Sequence, residues 1–251
     1  RLDYRNIRSK RNSLLGTLDY NWNILPFLSF HSKYGFDFIN DLGHTFNHEY
    51  TTKTADDANS PANLTKDYTT RIVHNFENML TFKKKFGYHD LTVLVGQSAR
   101  IFTIEDAQGS ASVFFSNDEV YQHLSSSLDP LSNQVNGSYH EDTKLSLLGR
   151  AIYSYRDKYL FTASFRRDGS SLFGAENRWG NFPSFNLGWK ISEEEFMKGQ
   201  QLVSFLKLRG GWGIIGNDNL ARYSYTTLVS SSKRLSYTFG SDQAEYTGMA
   251  P

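Results

Sequence analysis

The feature that most constrains the fold is an alternation of apolar and polar side chains in two neighbouring segments, residues 159–167 and 184–191. In the first segment the odd positions from 159 to 165 are Tyr, Phe, Ala and Phe, and the even positions include Thr, Ser and Arg. The second segment repeats the division, with Phe, Leu, Trp and Ile on one phase and Ser, Asn, Gly and Lys on the other. A period of two residues predicts two β-strands, each with one apolar face.

Aromatic residues concentrate near the ends of this apolar face, as expected where a sheet faces lipid and its rings lie at the two membrane interfaces. The chain of 251 residues contains 19 Phe and 15 Tyr, and both residue types favour strands. No run of 18 apolar residues is present, so a helical membrane span is excluded. The mean hydropathy of −0.52 is compatible with spanning strands, because alternation halves their apparent hydrophobicity.

The same alternation predicts further strands along the chain, at residues 13–24, 27–38, 72–82, 91–100, 145–155, 205–214, 223–229 and 235–239. Polar segments without periodicity predict loops at 39–70 and 101–143, with a short helix near 117–124 in the second. A capping box from Ser192 to Glu195 predicts a helical turn that ends near Gly199.

The lengths of the predicted connections alternate along the chain. The short or compact ones are at 25–27, 84–89, 156–158 and 193–204, and the long ones are at 39–70, 101–143 and 168–182. Short turns on one side and long loops on the other are typical of outer-membrane barrels, with the short turns in the periplasm.

Composition and motifs exclude several other classes of protein. Lys and Arg total 27 against 26 for Asp and Glu, so no charge excess points to nucleic acid. The absence of cysteine excludes a disulfide scaffold and a thiolate metal site. No nucleophile elbow and no isolated carboxylate pair is present, so we predict no enzyme activity.

Two motifs resemble cofactor or metal sites but have simpler interpretations. Gly211, Gly213 and Gly216 have the spacing of a dinucleotide fingerprint, yet strand-like sequence follows them, so we interpret them as glycines that thin a strand. His44 and His48 have a helical metal-ligand spacing in a polar loop, which favours an ordinary loop. We therefore predict no cofactor and no metal.

Three runs carry a resemblance to a known family: RRDGSSLFG (166–174), NRWGNFPSFNLGWKISEEEFM (177–197) and LKLRGGWGIIGN (206–217). They resemble the barrel of SusC/RagA-type TonB-linked (TonB-dependent) outer-membrane transporters of the Bacteroidetes, and weaker similarity extends back through residues 147–165 and 88–98. The resemblance implies an all-β fold, an antiparallel transmembrane β-barrel. Residues 1–251 would form one barrel segment of a larger, 22-stranded barrel whose plug domain and closing strands lie outside the chain.

The resemblance also implies a function in the outer membrane of a Gram-negative, Bacteroidetes-like cell. Members of the family import oligosaccharides or peptides too large for porins. Their implied partners are a SusD-like surface lipoprotein that acts as a lid, the TonB complex that acts on the plug, and membrane lipid. No nucleic acid is implied, and this chain would supply wall, lumen surface and outer loops.

The candidate substrate-binding residues, at the lumen or the mouth of the barrel, are Arg166, Asp168, Phe173, Arg178 and Trp179. Arg166 falls on the polar phase of its strand, whereas Arg167 falls on the lipid-facing phase where the strand should leave the membrane. A simpler interpretation of Arg166 and Asp168 is a network that shapes the loop from Asp168 to Gly180. Interfacial packing is the simpler interpretation of Trp179, Phe173 and Phe182.

Two alternatives remain open from sequence. One is a small complete barrel that acts as a passive porin or adhesin, since about eight strands can close a barrel. The other is a soluble β-sandwich such as a carbohydrate-binding module, whose apolar faces would be buried between two sheets. The exposure of Phe161, Phe185, Leu187 and Trp189 separates the sandwich from a membrane barrel.

Overall fold

A computed structural model describes residues 4–50, 61–199 and 202–219, together with four short strands beyond residue 228. The eight long strands are β1 (Arg5–Leu25), β2 (Leu28–Asn47), β3 (Asn63–Phe86), β4 (His89–Ser112), β5 (Gln134–Tyr155), β6 (Tyr159–Ser170), β7 (Trp179–Lys190) and β8 (Lys207–Gly213). They form one sheet in chain order, with antiparallel pairing. The predicted antiparallel all-β fold is confirmed.

The remaining elements are short. The described residues include six 3-10 turns, at Glu119–Tyr121, Leu124–Ser126, Pro130–Ser132, Ala175–Asn177, Ile191–Glu193 and Glu195–Met197. The short strands are β9 (Val229–Ser230), β10 (Tyr237–Phe239), β11 (Asp242–Ala244) and β12 (Gly248–Met249). Most of the strand predicted at 223–229 lies outside the described residues, whereas β10 falls within the one predicted at 235–239. Among the described helices, none has the length and apolar character needed to cross a membrane.

The chain divides into two compact units, one of residues 1–84 and 93–143 and one of residues 85–92 and 144–251. In the first unit, antiparallel register aligns the apolar phases of three strands. Leu14 pairs with Phe38, which pairs with Ile72. Leu18 on the same face is 71% exposed, so this apolar surface lies open rather than in a core.

Two polar residues interrupt the apolar face of β3, as the sequence predicts. His74 and Asn78 each have a partner on β2: the Tyr34 hydroxyl lies 2.9 Å from His74 Nδ1, and the Ser32 hydroxyl donates to Asn78 Oδ1 at 2.8 Å. The register allows both contacts, because Ser32 pairs directly with Asn78 and Tyr34 pairs with the neighbouring position Phe76. Each of these polar side chains thus has one hydrogen-bond partner within the face.

The predicted loop at 39–70 is wrong over most of its length, because β2 continues to Asn47 and β3 begins at Asn63. The loop predicted at 101–143 is likewise shortened, since β4 continues to Ser112 and β5 begins at Gln134. These extensions are held by polar cross-strand contacts, such as Arg11 Nε to Asp41 Oδ1 at 2.6 Å and Asn47 Nδ2 to Asn63 Oδ1 at 2.6 Å. Strands that lack one apolar face do not produce the alternation from which strands are predicted.

A small core closes the ends of the extended strands in the first unit. Its buried members are Phe46, Ala62, Leu64, Ala111 and Phe114, and Leu124 packs against them. The predicted helix near 117–124 corresponds to two separate 3-10 turns, at Glu119–Tyr121 and Leu124–Ser126.

The predicted capping box is wrong. Ser192 lies inside the turn Ile191–Glu193, whose N-cap is Lys190 and has no side-chain cap. Glu194 follows in an extended conformation, with φ of −77° and ψ of 150°, and this conformation separates the two 3-10 turns. Hydrogen bonds from other elements hold the Glu194 carboxylate, as described below.

The predicted alternation of connection lengths holds as far as β7. Residues 26–27, 87–88 and 156–158 form short connections, and the longer segments 48–62, 113–133 and 171–178 alternate with them. The last connection, residues 191–206, is not short, although two 3-10 turns lie in it. The three-residue connection 156–158 places two non-glycine residues, Arg156 and Asp157, in the left-handed region with φ of 50° and 59°.

Candidate functional site

The second unit has an apolar face that lies open. Register places Ala163 beside Phe185 and Phe185 beside Trp212, with Phe161 and Leu187 paired in the adjacent row. Phe161 is 40% exposed, Phe185 42% and Leu187 56%, and the neighbouring Trp212 is 54% exposed. Trp189, the fourth residue of the predicted set, is half-buried. Phe161, Phe185 and Leu187 do not lie between packed layers in the described residues, and this exposure favours the barrel over the β-sandwich alternative.

Aromatic rings lie at both ends of this apolar face. Tyr155, Tyr159 and Trp189 form one row across β5, β6 and β7, at the end with the short connections. Trp179 lies at the other end, with the Arg167 guanidinium 5.1 Å from its ring centroid. This contact places the charge of Arg167 at the margin of the apolar face, as its position in the sequence predicts.

The opposite face of the same strands is polar and lines a concave surface of about 1140 Å³, which we call the polar groove. Arg150 Nε donates to the Ser164 hydroxyl across it at 3.1 Å. Glycines on β8 let the sheet pack closely here, because a Cβ at Gly213 would lie 2.8 Å from Ser184 Cβ and one at Gly211 would lie 2.0 Å from Asn186 Oδ1. These contacts agree with glycines that thin a strand.

A separate cavity of about 450 Å³, the hairpin cavity, lies where β6 and β7 are joined. All five predicted site residues, Arg166, Asp168, Phe173, Arg178 and Trp179, border it. Its volume falls within the range of small-ligand sites. The structure thus brings together residues that are separated by up to 13 positions in the chain.

Backbone hydrogen bonds fold the connection over the end of the hairpin. The amide of Ser170 donates to the carbonyl of Arg178 at 3.0 Å, and the amide of Asn177 donates to the carbonyl of Gly174 at 3.0 Å. The 3-10 turn Ala175–Asn177 reverses the chain between them. Phe173 and Arg178 are consequently held at the rim of one cavity.

Charged side chains within the hairpin cavity form two ion pairs. Arg166 Nη2 lies 3.2 Å from Asp168 Oδ1, two positions along the same face of β6. Lys144 is paired with Asp218, which follows β8. Sequence reasoning missed this second pair: Lys144 follows the polar phase of β5, but Asp218 lies in a segment without periodicity.

The aromatic residues occupy different parts of the hairpin cavity. The Phe182 ring lies against backbone, since a Cβ at Gly216 would be 2.3 Å from its Cζ and one at Gly180 would be 2.5 Å away. The Trp179 ring packs on Gly169, where a Cβ would lie 2.9 Å from Cζ3. Trp179 thus borders the hairpin cavity, and its ring also packs at the margin of the apolar face.

A second cluster, the Glu194 cluster, lies at the opposite end of the hairpin and was not predicted from sequence. Glu194 Oε1 accepts from the Tyr159 hydroxyl at 2.7 Å and from Trp189 Nε1 at 3.0 Å, and Oε2 accepts from Lys158 Nζ at 3.2 Å. These hydrogen bonds, first of all the one from Tyr159, lower the pKa of Glu194 to about 2. The cluster fastens the β7–β8 connection to the start of β6.

No group of three or more potential metal ligands occurs in the part of the chain that the structure describes. His44, from the predicted i, i+4 pair, lies on β2 with its Nε2 3.1 Å from Gln122 Oε1.

The antiparallel sheet, with an exposed apolar face on one side and a polar groove on the other, defines the class as a transmembrane β-barrel protein. No family model matches the chain. In structure it resembles the RagAB peptide transporter with a TM-score of 0.85, at 21% identity over 99% of this chain and 27% of that chain.

Curated relatives narrow the class. The chain is 31% identical to the TonB-dependent receptor SusC of Bacteroides thetaiotaomicron over 254 residues, which cover 95% of this chain and 23% of that receptor. It is 34% identical over 208 residues to the TonB-dependent receptor P39 of Formosa agariphila, which covers 82% of this chain and 20% of that receptor. The predicted resemblance to SusC/RagA-type TonB-dependent receptors is confirmed, and the chain spans roughly a quarter of the length of these relatives.

Proposed function

We propose that the chain forms part of the wall of an outer-membrane TonB-dependent transporter that imports oligosaccharides or peptides. The observation that carries the proposal is the exposed apolar face of β6 and β7 behind a polar groove, which suits a wall between lipid and an aqueous lumen. The similarity to TonB-dependent receptors supports the same function. The relatives and neighbours named above are receptors and transporters rather than enzymes.

The hairpin cavity is the proposed point of substrate contact in this wall. Arg166, Asp168, Phe173, Arg178 and Trp179 offer charged groups and aromatic rings around one volume. Aromatic rings stack on sugar rings or pack on apolar side chains, and ion pairs position polar groups of a ligand.

The proposed partners are a SusD-like lipoprotein on the outer surface and the TonB complex on the periplasmic side. One relative is the TonB-dependent receptor SusC, and the solved neighbour is the RagAB peptide transporter. We place the longer connections, 48–62, 113–133 and 171–178, on the lipoprotein side, and the short ones in the periplasm.

Energised uptake tests this proposal. Disruption of the gene should abolish growth on an oligosaccharide or a peptide that supports the parent strain, and loss of TonB should abolish the same uptake. Growth on the corresponding monosaccharide or amino acid, which crosses general porins, is the control and should not change. Uptake that persists without TonB would instead identify a passive pore, the small-barrel alternative.

A further inference from the structure

The hairpin cavity contains an imbalance of charge. Its cations are Lys144, Arg166 and Arg178, and its carboxylates are Asp168 and Asp218. Lys144 is paired with Asp218, and Arg166 with Asp168. Among the residues that the structure describes, no side chain forms an ion pair, hydrogen bond or ring contact with the Arg178 guanidinium.

The polar groove, which adjoins the hairpin cavity, also carries an excess of positive charge. The two share Arg166, Asp168 and Phe182. The other charged residues that line the groove are Arg150, Lys207 and Arg209. In the described part of the chain neither Lys207 nor Arg209 has a carboxylate within ion-pair distance, so the groove presents a net positive surface.

We propose that the hairpin cavity binds a carboxylate of the imported ligand through Arg178, and that the polar groove accommodates further acidic groups of the same chain. A guanidinium is suited to this role because its fixed fork of donors matches the two oxygens of a carboxylate. Phe173 and Phe182 supply apolar surface beside the charge, which suits a sugar ring or the methylenes of a side chain. The inference rests on the proposed function and names its substrate class, an acidic oligomer.

The carboxylate could come from two sources, a uronic acid or an acidic peptide, and the test has an arm for each. Trigalacturonate and a triglutamate peptide are titrated into the full-length protein in detergent, and binding is followed by calorimetry. The trimethyl ester of trigalacturonate and an N-acetylated, C-terminally amidated triglutamine are the neutral counterparts. We expect one acidic probe to bind at least tenfold more tightly than its neutral counterpart, and the arm that binds identifies the source.

Arg178→Gln removes the charge and keeps much of the side-chain length. It should weaken binding of that acidic probe about tenfold or more, the loss expected for a hydrogen bond to a charged group. Arg178→Lys keeps the charge without the fork and should bind with intermediate affinity. Arg156→Gln is the matched control, since Arg156 lies in the connection 156–158 against the Tyr88 ring and lines neither the hairpin cavity nor the polar groove, so the affinity of this variant should equal that of the unchanged protein.

Three results would overturn the inference: neither acidic probe binds, the neutral counterparts bind equally well, or Arg178→Gln binds the acidic probe as tightly as the unchanged protein. Each variant is first checked for an unchanged β-sheet circular dichroism spectrum, so that loss of binding is not loss of fold. Failure of binding with intact TonB-dependent uptake would reject the acidic substrate class alone. Absence of that uptake would reject the proposed function.

Discussion

At the residue scale, Glu194 shows how one carboxylate can organise a connection. Three donors from different parts of the hairpin, Lys158, Tyr159 and Trp189, converge on its two oxygens. Each donor favours the ionised form, which is why the pKa lies near 2 rather than at its ordinary value of 4.5. Tyr and Trp at a membrane interface commonly have an apolar body and a polar tip, and here the tips have a shared acceptor.

The lowered pKa of Glu194 predicts a pH dependence of stability. Between about pH 2 and pH 4.5 the unfolded chain binds this proton and the folded chain does not, so stability from Glu194 is fully present above 4.5 and falls as the pH approaches 2. Glu194→Gln should therefore be less stable than the unchanged protein at pH 7, and the difference should shrink toward pH 2. Denaturant unfolding in detergent, followed by circular dichroism, measures it.

The control for this experiment is Glu193→Gln, because the neighbouring Glu193 makes none of the three hydrogen bonds. It should retain the pH profile of the unchanged protein. An equal loss in both variants would show that a general charge effect, rather than the Glu194 cluster, accounts for the pH dependence.

At the scale of elements, the glycines of β8 differ in how closely β7 approaches them. Gly213 faces Ser184, whose Cβ would lie 2.8 Å from a Cβ at position 213. Gly210 has no atom within 4 Å of an added Cβ. The two positions differ in their surroundings although both lie in one short strand.

Gly213→Ala should consequently destabilise the protein by about 1–3 kcal/mol, the usual cost of overpacking. Gly210→Ala is its matched control and should be neutral or stabilising by a few tenths of a kcal/mol, because alanine restricts the unfolded chain. Urea unfolding in detergent compares the two. Equal stabilities would contradict the close approach of β7 and β8 at Ser184.

The strand boundaries show what sequence can and cannot predict. The strands at 145–155 and 159–167 were predictable because one face is apolar and the other polar, and the structure has β5 and β6 there. The extension of β2 past residue 39 and the extension of β3 before residue 72 were not predictable, because polar contacts such as that of Asn40 with Thr70 hold them. Hydrogen-bonded polar strands leave no period-two apolar signal.

The candidate site likewise contains residues that the sequence predicts and residues that it does not. Arg166 and Asp168 could be placed on one face because they lie two positions apart in a strand. Asp218 could not, because its approach to Lys144 joins residues 74 positions apart through a segment without periodicity. Close pairing across a fold depends on topology, which the spacing of residues in the chain does not reveal.

At the scale of the whole molecule, the two faces of the second unit should respond oppositely to charge. Phe185→Arg places a guanidinium on the apolar face, where an arginine against hydrocarbon costs about 2–4 kcal/mol. Asn186→Arg, one position away, places it in the polar groove. The first variant should show reduced amounts of folded protein in the outer-membrane fraction, and the second should be near normal.

Quantitative immunoblots of membrane fractions, with heat-modifiable migration as the mark of folding, provide the measurement. Similar amounts of both variants would contradict a lipid-facing role for Phe185 and its neighbours, and with it the proposed placement in the outer membrane.

The contacts of His74 with Tyr34 and of Asn78 with Ser32 have a consequence for the acyl chains expected beside them. Each pair makes one hydrogen bond between its two side chains, so the pair leaves fewer polar groups unpaired than either residue would alone. A hydrogen-bond partner on the next strand therefore lowers the free-energy cost of a histidine or an asparagine beside hydrocarbon, as long as both residues of the pair are present. Replacing only Tyr34 or only Ser32 would remove that partner and leave the polar side chain of His74 or Asn78 unpaired beside hydrocarbon.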